Sequence, residues 1–262
     1  MGNNKNVLVT GASSGIGYHL AKCFAKNGYN LVVISRDQDE INQVAKDLSS
    51  EFSITATPIA ADLFNKDAAK DIYKQIKDKN IQIDILVNDA GQGQWGKFWE
   101  TDLDRQLEIV QLNICSLISL NHLFLKDMVQ RNEGKILNVG SIAGTSPAPL
   151  LGVYGATKAF VNYFSEALHN ELKDTNITLT VLMPGATESN FWEKADSRDT
   201  TIGMSDKATP ESVAQAGYDA LMQGKDKVIP GFMNNVQAMA NNVTPDQNSA
   251  EIFRATMVKT GK

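Results

Sequence analysis

Short aliphatic and β-branched runs alternate with longer amphipathic stretches along most of this chain, and that alternation is its strongest constraint. Strand-like runs fall at 7–9, 31–34, 54–59, 83–87, 135–139, 177–182 and 228–229. Between them lie helix-like stretches: one ending at residue 26, then 38–48, 66–77, 103–130, 153–172 and 210–222. A strand–helix–strand rhythm builds βαβ units, whose crossovers are right-handed. The expected architecture is α/β: a doubly wound parallel sheet of about seven strands with helices on both faces.

No linker or low-complexity segment divides the 262 residues, so a single domain over 1–262 is expected. The stretch 231–262 is rich in Asn and Gln and weakly periodic; a lid, an oligomer contact or a solvated tail all fit it. A net charge of −5 gives no electrostatic footprint for nucleic acid. No apolar run approaches the length of a membrane span, and the N-terminus lacks a signal-peptide core. Cys23 and Cys115 sit in helix-like stretches and are expected to be reduced and buried, which points to the cytoplasm.

Directly after the first strand runs Thr10-Gly11-Ala12-Ser13-Ser14-Gly15-Ile16-Gly17. Glycines there permit a tight turn and let backbone N–H groups approach a pyrophosphate at the positive end of the next helix. This makes the sheet a Rossmann-type, dinucleotide-binding one. The second strand ends Ile34-Ser35-Arg36, where NAD sites usually place a carboxylate. An arginine pairs with a 2′-phosphate, so NADP(H) is the expected cofactor, while Asp37 keeps NAD(H) open. Three further strand ends converge on the same edge, where such sheets bind ligands. They carry Asp62 and Leu63, Asn88-Asp89-Ala90-Gly91, and Pro184-Gly185.

Tyr154 and Lys158 are four residues apart in a helix-like stretch, so phenol and ammonium share one face. Alone the pair says little; Ser141, thirteen residues earlier and just past the fifth strand, gives it meaning. A tyrosine titrating near 10 needs help to act as an acid or base at neutral pH, and a cation one turn away is the right kind of group. Ser141 can hydrogen-bond a substrate oxygen where charge develops.

With these motifs in place the chain resembles the short-chain dehydrogenase/reductase family. The matches are the T-G-x-x-x-G-I-G loop, a near match to N-N-A-G at 88–91, Asn113, Ser141, Tyr154 to Lys158, and Pro184-Gly185, in family order. The resemblance implies hydride transfer between a nicotinamide and a carbonyl or alcohol carbon. It implies that Tyr154 moves the proton, Ser141 steadies the substrate oxygen, and Lys158 also holds the nicotinamide ribose. Asn113 would anchor a relay water, Asp62 would contact adenine, and Thr187 and Ser189 would lie near the carboxamide. It also implies a homodimer or homotetramer built through the fourth and fifth helices. Two positions depart from the pattern: Asp89 replaces the second Asn of N-N-A-G, with a change in local hydrogen bonding expected, and Ser189 replaces a Thr.

The expected substrate is a hydrophobic carbonyl compound or secondary alcohol. Trp95, Phe98, Trp99, Pro147, Pro149, Leu150, Phe191 and Trp192 follow the relevant strands and could line its pocket or simply pack loops together. A 3-oxoacyl thioester reductase is the alternative among enzymes, and a non-catalytic dinucleotide sensor the alternative outside them. The intact Ser-Tyr-Lys set argues against the sensor. His19, His122 and His169 show no metal-ligand spacing.

Overall fold

The computed structural model describes residues 3–259, so the last three residues of the 231–262 stretch lie outside the described residues. Seven strands form one parallel sheet in the order β3-β2-β1-β4-β5-β6-β7. They are β1 Asn3–Thr10, β2 Tyr29–Ser35, β3 Ala56–Ala60, β4 Ile85–Asn88, β5 Gly134–Val139, β6 Ile177–Leu182 and β7 Lys227–Val228. The sheet is wound outward in both directions from β1 and β4, so a crevice opens beyond their carboxyl ends.

Successive side chains of a strand point to opposite faces, and here both faces are buried. Val7 and Val9 enter one core and Leu8 the other; Ile85 and Val87 separate from Leu86 in the same way. Helices α1 Gly15–Lys26, α2 Gln38–Phe52 and α9 Pro210–Met222 cover the first face through Leu20, Phe24, Ile41, Leu48 and Val213. The second face is covered by α3 Ala68–Asp78, α5 Ser116–Arg131 and α6 Gly152–Glu171 through Ile72, Ile76, Leu120, Phe124, Met128 and Leu168. Each such side chain contributes about 1.5–3 kcal/mol on burial. Pro58 sits in β3, at the sheet edge, where a strand tolerates a missing donor.

The helix expected at 103–130 is continuous over Leu103–Arg131 but not uniform. Its halves, α4 Leu103–Val110 and α5, are joined by a π-helical turn at Gln111–Cys115. The wide turn carries Leu112 and Asn113 inward and leaves Cys115 exposed, which corrects the expectation that both cysteines are buried. Cys23 is half-buried, and burial pushes its thiol up to about 11. By length and composition this helix is apolar enough to cross a membrane, contrary to the sequence reading. Leu117, Leu120, Phe124 and Met128 account for much of that character, since all are buried in the fold.

The weakly periodic C-terminal stretch is helical: α10 Phe232–Val243 and α11 Asp246–Thr256. With the short helices α7 Phe191–Lys194 and α8 Thr201–Met204 it lies over the carboxyl edge of the sheet. A small separate core joins Met257, Phe253 and Ile202 to Leu151, Trp95 and Tyr154 there.

Candidate active site

The glycine-rich loop turns from β1 into α1 with Gly11 at φ +69° and Gly15 at φ +59°, conformations that disfavour any side chain. Gly17 is required by crowding: a Cβ there would strike the Gly11 carbonyl oxygen and come within 2.6 Å of Asp89 Oδ2. Thr10, the last residue of β1, locks this loop to the end of β4. Its Oγ1 accepts the N–H groups of Asp89 (3.1 Å) and Ala90 (3.2 Å).

Beyond these strand ends lies a cavity of about 570 Å3. Gly11, Ser13, Ser14, Gly15, Ile16, Arg36, Leu63, Ala90 and Gly91 line one end. Ser141, Tyr154, Lys158, Pro184, Gly185, Thr187 and Ser189 line the other. Gly17, Asp62, Asn88 and Asn113 are not among the lining residues. Asp62 is exposed and turned onto its own loop, its Oδ1 accepting the Phe64 N–H at 3.2 Å. Asn88 lies beneath the floor, its amide donating to Asn138 Oδ1 at 2.9 Å.

Asn113 is 2 % exposed and its amide is fully engaged. Nδ2 donates to the Gln92 carbonyl oxygen and to Thr157 Oγ1, both at 2.9 Å, and Oδ1 accepts the Gln92 N–H at 3.0 Å. The π-helical turn aims this residue at the loop after Gly91, so its shown work is to clamp that loop to α6.

At the adenosine end the two neighbours at the tip of β2 behave differently. Asp37 Oδ1 accepts the Glu40 N–H at 2.8 Å and so caps α2. The Arg36 guanidinium lies 5.3 Å from the centre of the Phe64 ring, and Arg105 lies 5.1 Å from it. Arg105 is held by Glu108 at 3.1 Å and by the Gln92 side chain, whereas no carboxylate among the described residues pairs with Arg36.

At the other end Ser141 begins the tight turn after β5; its Oγ accepts the Ala143 N–H at 3.0 Å. Asn162 fixes its backbone by accepting from its N–H (3.4 Å) and donating to its carbonyl (3.0 Å). Tyr154 packs on Phe191, ring centres 4.9 Å apart. Burial pushes its phenol up to about 12, Asp89 adds to that, and a hydrogen bond with Ser141 opposes it. Lys158, 5.9 Å from the phenol ring centre, donates to the Val139 carbonyl oxygen at 2.7 Å. Burial pushes its ammonium down to about 8, against the pull of Asp89. The expected lowering of the phenol by Lys158 is not found: the opposing influence is the Ser141 hydrogen bond, and desolvation outweighs it.

The apolar end of the cavity is formed by Leu151, Phe191, Trp192, Ile202, Phe253 and Met257. Of the aromatics considered in the sequence, Phe191 and Trp192 line it; Trp95 stands behind, its Nε1 donating to the Met257 carbonyl oxygen at 2.9 Å. Phe98 and Trp99 point to solvent, and Pro147, Pro149 and Leu150 are absent from the lining. Sequence reasoning missed Phe64, Gln92, Ile202, Gln237, Phe253 and Met257, which reach the cavity from loops and late helices without a motif. No cluster of metal-ligating side chains occurs among the described residues.

The residues fit a nicotinamide dinucleotide: a glycine-rich loop at a helix start, an arginine at the second strand that no carboxylate among the described residues pairs with, and a phenol, hydroxyl and ammonium converging on one cavity. Comparison with known proteins agrees. A family model described as short chain dehydrogenase matches residues 5–200. A very-long-chain 3-oxoacyl-CoA reductase from Mus musculus is 39% identical over 240 residues, 86% of this chain and 76% of that protein. Against the same enzyme of other vertebrates the matched stretch spans only 57% to 66% of their length. An uncharacterized oxidoreductase of Staphylococcus epidermidis is 30% identical over 84% of this chain and 91% of its own. A short-chain dehydrogenase from Sphingobium yanoikuyae, solved in complex with NADPH, superposes with a TM-score of 0.81 at 26% identity, covering 98% of both chains. The glycine loop, the Ser141-Tyr154-Lys158 cluster and these matches together show that the chain belongs to the short-chain dehydrogenase/reductase family of oxidoreductases.

Proposed function

We propose that the protein is an NADP(H)-dependent reductase of hydrophobic carbonyl compounds, with a 3-oxoacyl thioester as the favoured substrate class. The observation that carries this is the convergence of Ser141, Tyr154 and Lys158 on the cavity that also holds the glycine-rich loop. Arg36, unpaired beside a carboxylate committed to capping α2, favours a 2′-phosphate over a bare ribose hydroxyl. The apolar end formed by Leu151, Phe191, Trp192, Phe253 and Met257 suits an aliphatic or aromatic substrate. The printed activity of the Mus musculus relative narrows it toward 3-oxoacyl thioesters.

A dinucleotide held by the glycine-rich loop and Lys158 would supply the hydride for the carbonyl carbon. Tyr154 donates its phenolic proton to the carbonyl oxygen, and Ser141 holds that oxygen. A phenol titrating at about 12 stays protonated at neutral pH, which suits donation to a carbonyl better than abstraction from an alcohol. Lys158 supplies positive charge beneath the ligand, and Asn113 keeps the Gly91–Gln92 backbone in place. Thr187 and Ser189 line the cavity on the side of Pro184 and Gly185.

The outward faces of α4, α5 and α6 expose Leu107, Ile118 and Tyr163, which supports a dimer through those helices. A solution mass equal to one chain would refute it. Two free thiols support a reducing compartment such as the cytoplasm. The function is tested by following NADPH and NADH oxidation with aldehydes, bulky ketones and 3-oxoacyl thioesters of increasing chain length. Turnover with NADPH on the thioesters is expected; none on any carbonyl substrate would overturn the reading.

A further inference from the structure

Asp89 does more than adjust local hydrogen bonding. It follows β4 directly, and its side chain packs against the inner surface of the glycine-rich loop. Its Oδ2 would lie 3.0 Å from a Cβ on Gly11 and 2.6 Å from one on Gly17, so the bareness of those two positions makes room for the carboxylate. The carboxylate accepts the Gly17 N–H, one of the donors at the positive end of α1. On its other side the Lys158 ammonium attracts it, and Lys158 Nζ would lie 3.3 Å from a Cβ on Gly91, two residues along. Lys158 is the charged side chain that acts on Asp89, and the neutral Tyr154 phenol is the other titratable group in its field.

Asp89 is half-buried and itself lines the cavity, so a dinucleotide pyrophosphate on this loop draws on the same helix end as its carboxylate. Two anions sharing one desolvated site raise each other's proton affinity. Resting on the dinucleotide reading above, we propose that Asp89 is a positioning residue that couples occupancy of the glycine-rich loop to a proton. In the free protein at mildly alkaline pH its carboxylate steadies Gly17 and Lys158; on binding an anionic dinucleotide it takes one proton from solvent. The Lys158 ammonium is then released from its counter-charge and serves the ligand. Burial already pushes the carboxyl up to about 7 against the pull of Lys158 and Gly17, so a modest added negative field carries it across neutral pH.

The test is calorimetric titration of the full chain with NADPH and with NADH, near pH 8, in two buffers of different ionisation enthalpy. Uptake of up to one proton is expected with both ligands, which excludes the 2′-phosphate as its source. The dissociation constant should weaken with rising pH by at most tenfold per unit, the limit for one proton. Asp89→Asn should take up clearly less and show a shallower dependence, the remainder being the proton that the depressed Lys158 regains beside the anion. Lys158→Met, which leaves Asp89 in place but removes the charge that lowers it, should move the uptake to higher pH. Binding without proton uptake, or uptake undiminished in Asp89→Asn, overturns the proposal and leaves the oxidoreductase reading standing. Failure of the wild-type chain to bind either dinucleotide overturns both.

Discussion

Lys158 Nζ donates to the Val139 carbonyl oxygen at 2.7 Å, so the helix that carries Tyr154 is tied to the end of β5 by the same ammonium that charges the site. Burial holds that ammonium down at about 8. A depressed lysine is charged below its folded value and discharges above it. The kcat/KM for carbonyl reduction should therefore fall as pH rises through about 8. Asp89 raises Lys158, so Asp89→Asn should move that limb to lower pH. A pH–rate profile of the two proteins checks both; a limb unmoved in the variant would separate Asp89 from Lys158.

Replacing Tyr154 with Phe removes the proton donor and keeps the ring that packs on Phe191. We expect kcat to fall by about 10²–10⁴, the usual worth of a positioned acid, with dinucleotide affinity little changed. Steady-state rates alongside fluorescence titration of NADPH decide it; comparable loss in both would assign Tyr154 to binding.

Arg36→Ala should weaken NADPH by roughly 10–100-fold, the worth of about 1.5–3 kcal/mol for a hydrogen bond to a charged group, and leave NADH nearly unaffected. Comparing the two dissociation constants isolates the 2′-phosphate. Equal losses would point instead to the stack on Phe64.

Gly144 lies under α6, where a Cβ would come within 2.5 Å of the Lys158 carbonyl carbon and 2.8 Å of Asn162 Nδ2. The first obstacle is backbone, so the helix itself must shift. Gly144→Ala is expected to cost about 1–3 kcal/mol of stability by overpacking. A displacement approaching 1 Å at Tyr154 would cut kcat by up to about 100-fold. Thermal unfolding and kcat measured together test whether the two losses accompany each other.

The features legible in the sequence are those whose signal is local. Seven strands announced themselves by their runs, and Gly11, Gly15 and Gly17 by their place after the first. What was illegible depends on where a side chain turns. Asp62 and Asp37 both stand at strand ends, yet each spends its carboxylate on a nearby N–H, at 3.2 and 2.8 Å. Asn113 offers no spare donor, because the backbone of Gln92 and Thr157 Oγ1 consume its amide. The helix α10 escaped notice because its inward side is small and polar, with Ala238 buried and Asn241 donating to Thr145 at 2.8 Å, while Phe232, Met239 and Val243 face outward. Gln237, Phe253 and Met257 reach the cavity only through that late fold-back, which no spacing rule encodes.

The π-helical turn at Gln111–Cys115 makes chain length itself a carrier of information. Deleting one residue there would leave a longer run of ordinary helix and no broken hydrogen-bond ladder. It would also rotate everything downstream by about 100° relative to what comes before. Phe124 and Met128 would leave the sheet, or else Asn113 would lose Gln92. The long helix therefore works as a keyed shaft, cut at one end to fit the nucleotide crevice and at the other to fit the sheet, and the surplus residue is the key.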